Sequence, residues 1–223
     1  VIPVYNEAEN INVVLRELFS VCKKIAGIDN LQVIVVDDHS PDGTFDIVNE
    51  LNDSRITILR LSRRSGSHMA LRAGIREAAG EVVLCISADG QDDPFCLGKM
   101  LDKWRSGSHV VWALRKDRKK EPWYVRIPAQ LFYRLLFSFL KGEDNKIDLC
   151  RADFFLLDKK VIQSINACPE RNTSLFGLIV WLGFMQGQVE YERRSRLSGR
   201  SKWDLRSLFS LAKDWVIAFQ GFR

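Results

Sequence analysis

Short apolar segments alternate with amphipathic helical segments along the first half of this chain, and some of the apolar segments end abruptly in acidic residues. The clearest is Leu31 to Val36, which is rich in valine and is followed at once by Asp37 and Asp38. An apolar segment of this kind, interrupted here only by Gln32, is typical of a central parallel strand buried on both faces. A second such segment, Val82 to Ile86, leads directly into the acidic stretch 87–93.

The alternation predicts an open, doubly wound α/β sheet. Its strands are predicted at 1–4, 31–36, 56–61, 82–86 and 110–114, and its helices at 9–26, 44–52, 68–79 and 95–106. In sheets of this kind ligands bind outside the carboxyl ends of the strands. Both acidic segments should lie at that rim, which implies a cation, a polar ligand or both.

The second half has a different pattern. Strands are predicted at 154–157 and 188–191, with a helix at 175–183 lying over the sheet. Amphipathic helices are predicted at 128–140 and 203–219. They either pack on the sheet as ordinary core or lie on a membrane surface with the aromatic residues inward. We interpret the chain as one domain with a C-terminal appendage.

Composition and charge narrow the function classes. The 223 residues carry a net charge of +5, which suits an anionic partner such as a nucleotide or an acidic lipid surface. Nucleic acid fits poorly, because the basic residues are not interleaved with the aromatic residues that stacking platforms need. The five cysteines are scattered and form no C-x-x-C pair, which argues against a zinc site or a disulfide framework and favours the cytoplasm.

The two acidic segments each allow two interpretations. Asp89 and Gln91 are two residues apart, so they can point to the same side of an extended segment and hold Mg²⁺ or Mn²⁺ on a nucleotide diphosphate. The alternative is an Asx turn with solvated acids before a helix. Asp37 or Asp38 can accept the imide N–H of a uracil ring, or can simply cap the following loop and helix.

A resemblance emerges when the motifs are taken in order. The first half contains Pro3-Val4-Tyr5-Asn6-Glu7, Val35-Val36-Asp37-Asp38-His39-Ser40-Pro41-Asp42-Gly43-Thr44, Ser62-Arg63-Arg64-Ser65-Gly66 and Ser87-Ala88-Asp89-Gly90-Gln91-Asp92. These resemble the successive signatures of family 2 glycosyltransferases, which have a GT-A fold.

Segments in the second half narrow that resemblance to the polyprenyl-phosphate branch, which includes bactoprenol glucosyltransferases and dolichyl-phosphate mannose synthases. They are Arg115-Lys116-Asp117-Arg118, Leu131-Phe132-Tyr133-Arg134-Leu135-Leu136, Ala152-Asp153-Phe154-Phe155-Leu156-Leu157-Asp158, Pro169-Glu170-Arg171-Asn172 and Gly199-Arg200-Ser201-Lys202-Trp203. The resemblance covers essentially the whole chain.

The resemblance implies a mostly parallel central sheet flanked by helices, with amphipathic helices at the C-terminal end. Residues 1–202 would form the GT-A catalytic domain, and 203–223 an amphipathic juxtamembrane helix leading into transmembrane segments. It also implies an enzyme at the cytoplasmic face of the membrane, the inner membrane in a bacterium. Homo-oligomerisation stays open.

The implied reaction is the inverting transfer of a hexose from a UDP-sugar, rather than a GDP-sugar, to a membrane polyprenyl phosphate, for modification of a surface glycan. Two alternatives remain. One is a family 2 transferase that acts on a saccharide or another soluble acceptor. The other is a catalytically weak homologue that binds nucleotide sugars.

The resemblance also implies roles for individual residues. Pro3, Tyr5, Glu7, Asp37, Asp38 and Arg63 would line the nucleotide-sugar site. Asp89 and Gln91 would hold Mg²⁺ or Mn²⁺. Asp153 would orient the reacting sugar or acceptor, Arg115 and Arg126 would meet the acceptor phosphate, and Lys202 would close over the diphosphate.

The main departure from the family pattern is Ser87, which stands where relatives have the first acid of Asp-x-Asp. Asp89 is therefore the main carboxylate ligand in this chain. We expect a reduced affinity for the metal, or a metal that is held mostly by the phosphates.

Overall fold

The computed structural model describes residues 1–28, 30–116, 151–168 and 174–197, and strands and helices alternate within them. The strands are β1 Ile2–Val4, β2 Val33–Asp37, β3 Ile56–Arg60, β4 Val82–Cys85, β5 Val110–Arg115, β6 Ala152–Asp158 and β7 Gln186–Tyr191. The helices are α1 Ile11–Cys22, α2 Thr44–Glu50, α3 Ser67–Glu77, α4 Leu97–Arg105, α5 Lys159–Ala167 and α6 Leu175–Trp181, and a 3-10 helix at Pro94–Cys96 precedes α4. The predicted helices at 128–140 and 203–219 lie outside the described residues.

All the strands predicted within the described residues are present, but one helix was missed. Helix α5 is only nine residues long, so its apolar period is too short to stand out in the sequence. Its start is signalled by Asp158, whose carboxylate accepts a hydrogen bond from the backbone N–H of Lys160 at 2.8 Å. Helix α1 is shorter than the predicted 9–26, because turn hydrogen bonds replace the helical ladder after Cys22.

The strands form a parallel three-stranded group and a mixed four-stranded group. Strands β1, β2 and β3 pair in parallel, in the order β1-β2-β3. The other four lie in the order β4-β6-β5-β7, where β6 runs antiparallel to both of its neighbours and β5 pairs in parallel with β7. Val1 joins the two groups, because its amino group donates to the carbonyl of Leu84 at 2.7 Å and its own carbonyl accepts from Ile86 N–H at 3.1 Å.

Each face of the sheet is covered by helices. In β5, Val111 and Ala113 face the core that contains α1 and α4, whereas Val110, Trp112 and Leu114 face the core that contains α3, α5 and α6. This alternation follows from the two-residue period of a strand. Every residue of β2 is buried, as expected for a strand between two helical layers.

The carboxyl ends of the parallel strands define one rim. Because β6 is antiparallel, its first residues lie beside the ends of β4 and β5, and Cys85 pairs with Phe155. The backbone of Asp153, which is part of β6, is therefore at the same rim as the two acidic segments. None of the helices in the described ranges has the length and hydropathy that a bilayer crossing requires.

Candidate active site

The acidic stretch after β4, residues Ser87–Asp93, forms a tight loop that we call the acid loop. The Oδ1 atom of Asp89 accepts hydrogen bonds from the Ser87 hydroxyl at 2.9 Å and from the backbone N–H of Gln91 at 3.0 Å. Its Oδ2 atom accepts from the Arg196 guanidinium at 2.8 Å. Ser87 thus supports Asp89 directly, although it supplies no second carboxylate.

A buried carboxylate holds the acid loop in shape. Asp92 is 5% exposed, and its Oδ2 atom accepts from the backbone N–H of Ser87 at 2.9 Å. Its Oδ1 atom accepts from the Tyr191 hydroxyl at 3.3 Å. Asp93 caps the 3-10 helix by accepting from Phe95 N–H. The three acids of the loop therefore have different roles, and Asp89 and Asp93 both pair with arginines of the basic segment described next.

Residues Arg193–Leu197, which follow β7, run along the acid loop, and we call them the basic strap. The backbone N–H of Arg194 donates to the carbonyl of Gln91 at 3.0 Å, and that of Leu197 to the carbonyl of Asp89 at 3.3 Å. The Arg193 guanidinium donates to Gln91 Oε1 at 2.9 Å. The strap was not predicted from the sequence, although three arginines within four residues after a strand were a visible signal.

Arg194 fixes the strap to the body of the domain. Its guanidinium forms ion pairs with Glu17 of α1 at 2.6 Å and with Asp93 at 2.7 Å. These pairs are partly shielded from solvent, so screening by water and salt is weaker than at a fully exposed pair. The two carboxylates raise the pKa of Arg194 despite the opposing effect of its burial. Arg194 therefore links the strap both to α1, through Glu17, and to the acid loop, through Asp93.

The atoms of the acid loop fit the predicted divalent cation. Asp89 Oδ2 and Gln91 Oε1 are hard oxygen donors, and each already faces a cationic guanidinium. Within the described ranges, no cluster of three or more His, Cys, Asp or Glu side chains can hold a metal ion alone. The two oxygens therefore suit a metal that takes its remaining ligands from phosphates and water, as Mg²⁺ usually does.

Asp37 and Asp38 organise two loops at the same rim. Asp37 is fully buried, accepts from the backbone N–H of Ser40 at 3.0 Å and lies 3.3 Å from Nε of Arg60. Asp38 is 4% exposed and accepts from the backbone N–H groups of Ser65 at 2.6 Å and Gly66 at 2.8 Å. The structure therefore contains the loop-holding contacts, and a contact to a nucleobase stays a prediction.

Asp38 thereby positions the loop 62–66 next to the loop that follows β1. Arg63 is exposed in this loop. The Arg64 guanidinium lies over the Tyr5 ring, with 4.2 Å between the guanidinium carbon and the ring centroid. A flat cation stacked on an aromatic ring forms the kind of surface on which a planar base can also stack. Arg64 was not among the predicted site residues.

The other residues of the first motif have mainly structural contacts. Glu7 is 8% exposed, and its carboxylate accepts from the side-chain amide of Asn10 at 2.7 Å. Its backbone N–H donates to the Thr44 hydroxyl at 3.0 Å. Pro3 lies within β1, where it pairs in register with Val36. Glu7 therefore ties the start of α1 to the first residue of α2, and its place in a nucleoside pocket stays a prediction.

The predicted acceptor residues are only partly described. Arg115 ends β5 at the same rim, and its carbonyl accepts from Nε of Arg151 at 2.7 Å. Asp153 is placed by its backbone alone. Arg126 and Lys202 lie outside the described residues. The structure thus brings Asp89, Gln91, Asp38, Tyr5 and Arg115 to one edge of the sheet.

Comparison with known proteins gives a consistent result. A family model described as "Glycosyl transferase family 2" matches residues 1–165. The chain is 35% identical over 223 residues to an uncharacterized glycosyltransferase, YkcC, of Bacillus subtilis, covering 98% of this chain and 67% of the relative. It is 32% identical over 226 residues to a bactoprenol glucosyl transferase of Shigella phage SfV, covering 100% of this chain and 71% of the relative.

Solved structures show the same fold at lower identity. Glucosyl-3-phosphoglycerate synthase from Mycobacterium tuberculosis, crystallised with Mn²⁺, UDP and its product, aligns with a TM-score of 0.69 at 17% identity. The alignment covers 99% of this chain and 77% of that enzyme. The α/β fold with a parallel sheet flanked by helices, predicted from the motifs, is confirmed.

Proposed function

Because this chain belongs to glycosyltransferase family 2, we propose that it transfers a hexose from a UDP-sugar to a membrane polyprenyl phosphate with inversion at the anomeric carbon. Membership of the family makes the chain a transferase of sugars. The donor, the acceptor and the location at the cytoplasmic face of the membrane are the proposed parts. The product is a lipid-linked sugar suited to modification of a surface glycan.

The acid loop is the observation that carries this proposal. Asp89 Oδ2 and Gln91 Oε1 present two oxygens at the carboxyl rim, where α/β sheets bind ligands. Asp89 and Gln91 would hold a divalent cation there, which would neutralise the charge that develops on a departing diphosphate. The Mycobacterium tuberculosis enzyme with the same fold was crystallised with Mn²⁺ and UDP, which supports this choice of cofactor and nucleotide.

The acceptor is inferred from the relatives. The bactoprenol glucosyl transferase of phage SfV is named for a polyprenyl acceptor, and its similarity extends over all of this chain. Arg115 ends β5 at the rim, where its positive charge favours an anionic acceptor group. The net charge of +5 suits an enzyme that works beside anionic lipid headgroups.

The proposed reaction is a single displacement. An oxygen of the acceptor phosphate attacks the anomeric carbon, the bond from that carbon to the diphosphate oxygen breaks, and the nucleoside diphosphate leaves with the electron pair. A phosphate monoester is largely ionised at neutral pH, so Asp153 has no proton to remove. Its role is to orient the reactants, and rate enhancement comes from positioning and charge neutralisation.

A donor panel tests this proposal. The full-length protein is supplied with a short polyprenyl phosphate and with UDP- and GDP-linked hexoses in turn, in Mg²⁺, Mn²⁺ or EDTA. We expect one UDP-sugar to give a lipid-extractable product that disappears in EDTA. Transfer from GDP-sugars alone would overturn the choice of donor. Tight UDP binding without transfer from any donor would overturn the proposed activity.

A further inference from the structure

The basic strap already occupies the two oxygens that suit a metal. Arg196 donates to Asp89 Oδ2 at 2.8 Å, and Arg193 donates to Gln91 Oε1 at 2.9 Å. The other carboxylate oxygen of Asp89 accepts from Ser87 and from the amide of Gln91. The side chains of Asp89 and Arg196 are 13% and 20% exposed, so their ion pair is shielded from most of the solvent.

Contacts independent of Arg193 and Arg196 keep the strap beside the acid loop. Arg194 is paired with Glu17 and Asp93, and its backbone N–H binds the carbonyl of Gln91. Leu197 lies directly over Gly90, since a Cβ atom built on that glycine would come within 2.5 Å of the leucine side chain. The guanidinium groups are therefore held at a high local concentration around the ligand oxygens.

We propose that Arg196, assisted by Arg193, competes within the molecule with the divalent cation for Asp89 and Gln91. The inference rests on the proposed function, because that function supplies the metal. A guanidinium and a divalent cation repel each other, so they do not share one carboxylate oxygen favourably. The cation must therefore displace a charge-assisted hydrogen bond before it binds. The apparent affinity for the cation equals the intrinsic affinity multiplied by the fraction of molecules in which the arginine has left the oxygen.

This competition makes metal and nucleotide binding interdependent. A nucleoside diphosphate brings its own oxygen ligands, so a metal–nucleotide pair depends less on Asp89 and Gln91 than the metal alone does. The protein should therefore bind free Mn²⁺ weakly and bind it well once UDP is present. Ser87 accentuates the effect, because the acid loop has no second carboxylate at that position to retain the metal.

Mn²⁺ binding measured by electron paramagnetic resonance tests the proposal without any need for turnover. The full-length wild-type protein is compared with R196Q and R196K, and with R55Q as the control. Arg55 also pairs with a carboxylate, that of Asp53, but the pair is exposed and lies outside the acid loop. Without nucleotide, we expect R196Q to bind Mn²⁺ at least tenfold more tightly than wild type. R196K should lie between them, and R55Q should match wild type.

The UDP-bound measurement completes the test. With saturating UDP, the difference between wild type and R196Q should shrink to less than threefold. Equal Mn²⁺ affinities of wild type and R196Q without UDP would overturn the competition while leaving sugar transfer intact. If neither protein binds Mn²⁺ even with UDP, the metal site itself is wrong and the competition fails with it. Melting temperatures confirm that each variant is folded.

Discussion

The carboxylate of Asp38 accepts a hydrogen bond from the backbone N–H of Gly66 at 2.8 Å, and this contact joins the end of β2 to the start of α3. The neighbouring N–H of Ser65 binds the other carboxylate oxygen at 2.6 Å. Asp38 therefore determines the shape of the loop that carries Arg64, whose guanidinium stacks on Tyr5. The geometry of the predicted base-binding surface depends on this single acid.

Asp38→Asn should weaken both the loop and nucleotide binding. In asparagine one of the two carboxylate oxygens becomes an NH2 group, which cannot accept from the N–H that faces it, so we expect stability to fall by about 1–3 kcal/mol. Loss of the loop geometry should weaken UDP binding about tenfold or more. Denaturant unfolding and calorimetric titration with UDP measure the two effects. The exposed Asp46→Asn is the matched control, and unchanged UDP affinity in Asp38→Asn would contradict a role at the base.

Two glycines should respond to alanine in opposite directions. Gly90 has a φ of +74° and no room for a Cβ beside Leu197, so G90A should destabilise the domain by about 1–3 kcal/mol. Gly98 lies in α4, and apart from the adjoining helix backbone no atom lies within 4 Å of the position that an alanine Cβ would take, so G98A should stabilise by about 0.5–1 kcal/mol. Thermal unfolding of both variants checks the signs. A partial rescue of G90A by L197A would separate the clash from the backbone strain.

Asp92→Asn should disturb the acid loop by weakening the buried hydrogen bonds that hold its shape. The substitution leaves a weaker acceptor for Ser87 N–H and the Tyr191 hydroxyl at a buried site, which should cost about 1–3 kcal/mol of stability. Tyr191→Phe removes only the longer of these hydrogen bonds and should cost about 1 kcal/mol. Because Asp92 shapes the loop, Mn²⁺ affinity in the presence of UDP should fall in Asp92→Asn. An unchanged metal affinity would show that the loop holds its shape without this contact.

His68 should make the domain less stable in mild acid. Burial lowers the pKa of His68 to about 4, and its Nδ1 accepts from the backbone N–H of Leu175, so the folded protein holds the ring neutral. The unfolded chain binds the proton near pH 6.5, so stability should fall as the pH drops from about 6.5 to about 4, by at most about 3 kcal/mol. Denaturant unfolding across this range checks the slope. His68→Gln should reduce the dependence of the unfolding free energy on pH, whereas replacing the exposed His39 with Asn should leave it unchanged.

Local sequence patterns were sufficient for most of the fold. The apolar residues of β2 and the amphipathic α1 follow directly from side-chain patterning, and the ends of β2 and β4 marked the rim. The reversed direction of β6 was not visible, because strand direction is decided by long-range pairing with β4 and β5. Helix α5 was not predicted because a nine-residue segment is too short for its apolar periodicity to distinguish a helix from a loop.

The acidic residues of the candidate site could be predicted from the sequence, but the arginines that contact them could not. Asp38 and Asp89 stand at strand ends and belong to recognisable motifs. Arg196 acts on Asp89 from a position 107 residues away in the chain, and only the packing of β7 beside β5 brings the two together. Arg64 likewise depends on the loop geometry that Asp38 imposes. Partners that are distant in sequence require the three-dimensional fold.

The proposed transfer of a sugar to a lipid phosphate requires the carboxylate of Asp89. Its most direct test measures the initial rate with the best donor and Mg²⁺, comparing polyprenyl phosphate, the same polyprenol without phosphate, and a soluble saccharide acceptor. We predict a product from polyprenyl phosphate alone, with the rate lowered at least about 100-fold in Asp89→Asn, equivalent to about 2.7 kcal/mol, and unchanged in the exposed Asp46→Asn. Transfer to the saccharide in place of the lipid phosphate, or full activity in Asp89→Asn, would contradict the proposed function.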